Sequence, residues 1–105
     1  MLKIYEVALG LTESLVDTIE GIGRKDPDLA RQFRRCLASM SLNIAEGSRS
    51  QGRNRNARYF VALGSAREGL ACLEVARAFR IIKEIPFEIE DPFRKIIGTL
   101  RVVTR

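Results

Sequence analysis

Apolar residues recur at steps of three and four along most of the chain, in four segments parted by polar stretches. In the first, from about Leu2 to Glu20, Ile4, Val7, Ala8, Leu11, Leu15, Ile19 and Ile22 share one side of a helix. Gly21 and Gly23 read as its stop. The second segment opens on Asp26-Pro27-Asp28: a capping carboxylate, a proline at the first helical position and an acid at the positive end of the helix dipole. Its stripe is Leu29, Phe33, Cys36, Leu37, Met40 and Ile44, with Gly47 as the expected stop. Ser48 to Asn56, SRSQGRNRN, has no apolar anchor and reads as a mobile loop, with Asn54 or Asn56 able to cap the next helix.

The third segment, about Ala57 to Lys83, is apolar over more of its girth than one stripe needs. Tyr59, Phe60, Leu63, Ala66, Leu70, Leu73, Ala76, Phe79 and Ile82 recur, and Val61, Ala62, Val75 and Ile81 widen the face. Such a helix is central to its fold or is covered by another subunit. Gly64, Ser65, Ala66 and Gly69 form a cluster of small residues, suited to close approach by a neighbouring helix. In the last segment Phe93, Ile96, Ile97, Leu100 and Val103 follow Asp91-Pro92, a second cap-and-start signal. Ile89 joins that stripe only if the helix begins upstream of Pro92. Nothing alternates with period two for long, and no hairpin dipeptide occurs. Four helices with short connections predict an all-α fold, an antiparallel up-down-up-down four-helix bundle, as one domain over residues 1–105.

Charge alters this picture in one place. The chain carries a formal +5, yet residues 1–20 hold Lys3 against Glu6, Glu13, Asp17 and Glu20, a net of −3. Residues 48–58 hold Arg49, Arg53, Arg55 and Arg58 with no acid, a net of +4. Arg31, Arg34 and Arg35 add to this upstream, pointing away from the apolar stripe of their helix. Guanidinium forks suit phosphate oxygens, and such contacts position nucleic acid without reading its sequence. The competing reading is a solubilising loop whose arginines pair with acids of helix 1 or of another subunit. Tyr59 is the nearest residue able to stack on a base.

The remaining chemistry is sparse. No His is present, which removes the commonest general base and the usual imidazole zinc sites. No phosphate-binding loop or dinucleotide glycine pattern occurs. Glu13, Asp17 and Glu20 stand three and four apart, the spacing of a solvated acidic face; a metal-dependent hydrolase would need carboxylates from several helices. Cys36 and Cys72 lie among apolar residues and read as reduced, buried thiols. Glu46 near the negative end of a helix dipole invites a partner, an arginine or a backbone amide across the bundle. The expectation is a non-enzymatic protein with no metal and no cofactor. The N-terminus does not read as a signal peptide, and no apolar run is long enough for a membrane span.

The stretch Gln32 to Glu68 carries a resemblance. Arg34-Arg35, Asn43-Ile44-Ala45-Glu46-Gly47, and Ala62-Leu63-Gly64-Ser65 with Glu68 stand in the order and nearly the spacing of proteins encoded by 23S ribosomal-RNA intervening sequences. The resemblance implies a bacterial, cytoplasmic four-helix protomer, assembled as a homopentamer with a central channel. It also implies kinship with the accessory variability determinant of diversity-generating retroelements, which assists a reverse transcriptase and binds nucleic acid through a basic surface. Asn43, Glu46, Gly47, Gly64, Ser65 and Glu68 are the motif positions. Two positions depart from the family: Ser41 stands where Pro is common, which puts a kink in doubt, and Gly69 stands where Leu is usual, which predicts a weakened packing position. The functional expectation is an accessory protein that binds RNA or DNA as a basic ring through the seven arginines. The alternative is a protein-interaction scaffold or adaptor for a reverse transcriptase or other polymerase.

Overall fold

The computed structural model describes residues 2–105; Met1 of the expected 1–105 domain lies outside the described residues. Five helices succeed one another: α1 Leu2–Ser14, α2 Val16–Lys25, α3 Pro27–Ser48, α4 Gly52–Ala78 and α5 Phe87–Val103. No strand occurs among the described residues. α1 and α2 correspond to the first apolar segment, interrupted only at Leu15, whose N–H donates to the Thr12 carbonyl at 3.1 Å. Gly21 and Gly23 do not end the segment; both lie within α2, which runs on to Lys25. The stop comes from Asp26-Pro27, where the Asp26 side chain accepts the Leu29 N–H at 3.0 Å and caps α3. That bond satisfies one of the orphan donors of the new helix, a gain of about 1 kcal/mol.

α3 packs along α4, and the chain turns between them in three residues. Contacts step backward along α3 as they step forward along α4: Gly47 meets Tyr59, Ser39 meets Ser65, and Cys36 meets Gly69 and Cys72. The two helices are therefore antiparallel. α5 packs on α4 and α1, while α1 and α2 also rest on α3. The expected stripes converge on one core, in which Leu15, Ile22, Phe33, Met40, Ile44, Leu73, Phe93, Ile96 and Leu100 are fully enclosed. Burying each such side chain contributes roughly 1.5–3 kcal/mol.

Both ends of α4 differ from the sequence expectation, and the start of α5 decides between two readings the sequence leaves open. SRSQGRNRN is helical from Gly52 onward, so only residues 49–51 connect α3 to α4. Gly52 has φ +58°, a left-handed conformation that lets the chain reverse so abruptly. Neither Asn54 nor Asn56 caps α4, which has Gln51 at its start without a side-chain cap. At its other end α4 stops at Ala78 rather than near Lys83. There the Ile81 N–H donates to the Ala76 carbonyl at 2.8 Å, the Arg80 N–H to Arg77 at 2.9 Å, and Arg80 has φ 62°. This is a Schellman C-cap with arginine where glycine is usual. Arg80→Gly is expected to raise stability by about 0.5–1 kcal/mol, read from chemical denaturation. α5 begins at Phe87, upstream of Pro92, which lies inside the helix. Ile89 accordingly packs against the core.

Gly69 and Ser41, the two family departures, have clear surroundings. A Cβ on Gly69 would lie 3.1 Å from the ring of Phe93, which is fully enclosed. The expected weakness is not there: the space a larger residue would fill belongs to Phe93. α3 runs without a break through Ser41, whose hydroxyl is buried without a hydrogen-bond partner.

Candidate nucleic-acid interface

The start of α1 lies beside the end of α3, because Tyr5, Ala45, Ser48 and Arg49 line one small cavity of ≈270 Å³. The end of α5 lies beside the early turns of α4, where Phe60, Leu63 and Arg67 share a groove with Arg101, Val102, Thr104 and Arg105. This end of the molecule therefore gathers Arg49, Arg53, Arg55 and Arg58, and docking of α5 brings Arg101 and Arg105 beside α4, in one groove with Arg67 farther along that helix. The last three come from segments the local charge pattern does not single out. Their signal is tertiary, since nothing in a linear charge count joins residue 67 to residues 101 and 105.

All four connector arginines are exposed. Arg55 donates from Nε to the Ser50 carbonyl at 3.0 Å, which keeps the turn closed while leaving the rest of its guanidinium outward. Among the described residues none of the four forms a salt bridge. The ion pairs present are local ones on α3 and α5: Arg31 with Asp28, Arg94 with Glu90 at 2.7 Å, and Lys95 with Asp91 at 3.1 Å.

Arg31, Arg34 and Arg35 are not part of this end. They line a separate groove of ≈550 Å³ with Thr12, Val16, Ile19, Leu37 and Ala38, where α1 and α2 meet α3. From Arg35 to Arg49 the helix axis covers roughly 21 Å at 1.5 Å per residue. The expected single set of seven arginines is thus two sets, and in the second Arg31 is already paired with Asp28.

The motif residues are mostly structural. Asn43 Nδ2 donates to the Ser39 carbonyl at 2.9 Å and to Ser39 Oγ at 3.2 Å. Ser65 Oγ in turn donates to Ser39 Oγ at 2.7 Å, so Ser39, which sequence reasoning passes over, joins Asn43 to Ser65 across the α3–α4 seam. Gly47 is buried against the Tyr59 ring. Gly64 is half-buried with open space where a Cβ would stand. Glu46 is exposed and makes no salt bridge among the described residues, so the partner expected for it across the bundle is not found. Tyr59 is only 3% exposed, with its hydroxyl 3.4 Å from Ser48 Oγ. Its burial closes it to base stacking; the exposed aromatic of this region is Phe60.

Glu68 is exposed on α4 near the two thiols. Burial pushes Cys36 upward, and the Glu68 carboxylate adds to the shift. Burial pushes Cys72 up to about 12, with Cys36 and then Glu68 adding to it. The folded state thus prefers neutral thiols, and this contribution to stability is complete below the ordinary thiol range. It is lost as pH rises from about 9 through about 12, because the unfolded chain ionises first. The expected result is a steeper fall of unfolding free energy across that window for the wild type than for Cys72→Ala, measured by denaturant titration at fixed pH values. No group of three or more His, Cys, Asp or Glu placed to hold a metal occurs among the described residues. No described helix is long and apolar enough to cross a membrane.

Comparison with known proteins adds two findings. A family model described as 23S rRNA-intervening sequence protein matches residues 1–99. A crystal structure of a protein with unknown function from the S23 ribosomal protein family, from Bacteroides thetaiotaomicron, superposes with a TM-score of 0.83 at 20% identity, covering 97% of this chain and 98% of the other. That likeness shows a shared fold. No curated protein matches the chain in sequence.

Proposed function

The chain belongs to the 23S rRNA-intervening sequence protein family, and from that premise we propose that it is a non-enzymatic accessory protein that binds RNA or DNA through its basic end. The observation that carries the proposal is the set Arg49, Arg53, Arg55 and Arg58, exposed and without carboxylate partners among the described residues. Unpaired surface guanidiniums keep their full charge for an anionic polymer, and phosphate contact needs no preformed pocket. Arg34 and Arg35 make a second, weaker phosphate site.

In this reading the protomer is one domain, an antiparallel up-down-up-down four-helix bundle in which α1 and α2 together form the first rod. Copies assemble into a ring, the homopentamer implied by the family resemblance, in the cytoplasm. Exposed Val61, Val75 and Phe79 on α4 support assembly, because that much apolar surface on one helix is costly in water. Those same side chains favour the second reading, an adaptor that holds a reverse transcriptase or other polymerase without touching nucleic acid. Anisotropy titrations of the pure protein with structured RNA and duplex DNA at low salt separate the two. Saturable, salt-sensitive binding is the expected result; no binding at low salt removes the first reading. Light scattering tests the assembly, and a strict monomer removes the ring.

A further inference from the structure

The groove between the early turns of α4 and the end of α5 has a composition of its own. It has a volume of ≈500 Å³ and is lined by Phe60, Leu63, Arg67, Arg101, Val102, Thr104 and Arg105. Its three guanidiniums are exposed, and none forms a salt bridge among the described residues. Three unpaired cations around one concavity repel each other, and an anionic ligand relieves that repulsion. Beside them stands Phe60, 61% exposed, although the neighbouring Tyr59 is buried. An apolar ring left in water next to three phosphate-binding forks matches the two halves of a nucleotide.

We propose that this groove binds a single-stranded segment of nucleic acid, with one base stacked on Phe60 and the adjoining phosphates held by Arg67, Arg101 and Arg105. The inference rests on the nucleic-acid-binding reading above and deepens it by naming the strand form. Duplex bases are already stacked on one another and present only edges, so a ring such as Phe60 gains a partner only from an unpaired base. The volume lies in the range of sites that enclose a small ligand. Leu63 and Val102 complete an apolar floor for the base, and the guanidiniums on α4 and α5 flank it. Arg53, seven residues before Phe60 and so on nearly the same face of α4, extends the phosphate track beyond the groove. An acidic protein segment would satisfy the three cations too, but it would leave Phe60 without a flat aromatic partner.

The test compares the full chain with Phe60→Leu and with the double variant Arg67→Gln/Arg101→Gln. Probes are a fluorescent single-stranded oligonucleotide, a duplex of the same sequence, and polyglutamate as competitor. Phe60→Leu keeps an apolar side chain at an exposed position, and its helical circular dichroism and melting temperature serve as the folding control. The expected result is single-strand affinity about 5- to 150-fold weaker for Phe60→Leu, with duplex affinity unchanged. The arginine double variant weakens both and flattens the salt dependence. Equal loss on single strand and duplex, or no loss on either, overturns the base-stacking assignment while leaving the basic end as a nucleic-acid site. Polyglutamate competing as well as an oligonucleotide of equal charge overturns it in favour of an acidic protein segment. A change of oligomeric state in Phe60→Leu assigns the ring to contacts between copies and overturns it as well. Failure of the wild type to bind any nucleic acid removes the wider reading and this one together.

Discussion

Changing Arg49, Arg53, Arg55 and Arg58 together to Ser is expected to flatten the log–log salt dependence of duplex DNA binding by about 3.6, four contacts at about 0.9 each. Between 50 and 200 mM salt that difference in slope makes the loss of affinity about 150-fold smaller in the variant than in the wild type. The size comes from position. These side chains are exposed and unpaired among the described residues, so their charge is spent on no internal carboxylate. Folding is little affected, because surface substitutions away from special features change stability by about 0.5 kcal/mol or less. Arg55 is the exception to watch, since its Nε holds the Ser50 carbonyl of the turn. An anisotropy titration across salt concentrations gives the slope directly. An unchanged slope removes the connector from the interface.

Gly47→Ala gives the largest expected loss of stability. A Cβ there would stand well inside van der Waals contact with two carbons of the Tyr59 ring. Tyr59 is enclosed and its hydroxyl lies near Ser48, so the ring cannot swing outward without leaving the core. Overpacking of this kind costs typically about 1–3 kcal/mol. For a domain of this size the melting temperature falls by roughly 5–20 °C. The partner is checked by a double-mutant cycle with Tyr59→Leu: a smaller side chain removes the clash, so the two losses sum to less than their separate values. Strict additivity would mean that Gly47 is required for some other reason.

Gly47 shows what a sequence discloses and what it conceals. Its place in Asn-Ile-Ala-Glu-Gly marks it as a motif residue, and its position suggests a helix stop. The physical demand on it comes from a ring twelve residues later, brought close by antiparallel packing of α3 on α4. The core is readable because burial obeys the helical period: Leu11, Leu15, Phe33, Met40, Ile44, Ile96 and Leu100 are enclosed where the stripes place them. Boundaries are harder. Glycine reads as a stop at Gly21, Gly23 and Gly47, yet helices run through the first two and one residue past the third. A glycine weakens a helix by only about 1 kcal/mol, which core contacts made by Ile19 and Ile22 readily outweigh. The true C-cap of α4 is hidden because arginine, not glycine, takes the left-handed position at residue 80.

The candidate site is legible in part for a similar reason. Arg49 to Arg58 lie close in sequence, so a local charge count finds them. Arg67, Arg101 and Arg105 meet only after α5 has docked on α4. Periodicity places both Tyr59 and Phe60 in one over-wide stripe. Adjacent residues on a helix point about 100° apart, and the period alone does not say which of the two enters the core. Tyr59 went in, and Phe60 stayed out.

The stretch from Arg35 on α3 to Arg49 at its C-cap, where the connector begins, sets a ruler for the proposed interface. Roughly 21 Å matches about six base pairs at 3.4 Å per step. A duplex shorter than that has footprint enough for one group alone. The expected result for the proposed interface is a binding strength that rises in two stages with oligomer length, the second step arriving near that size.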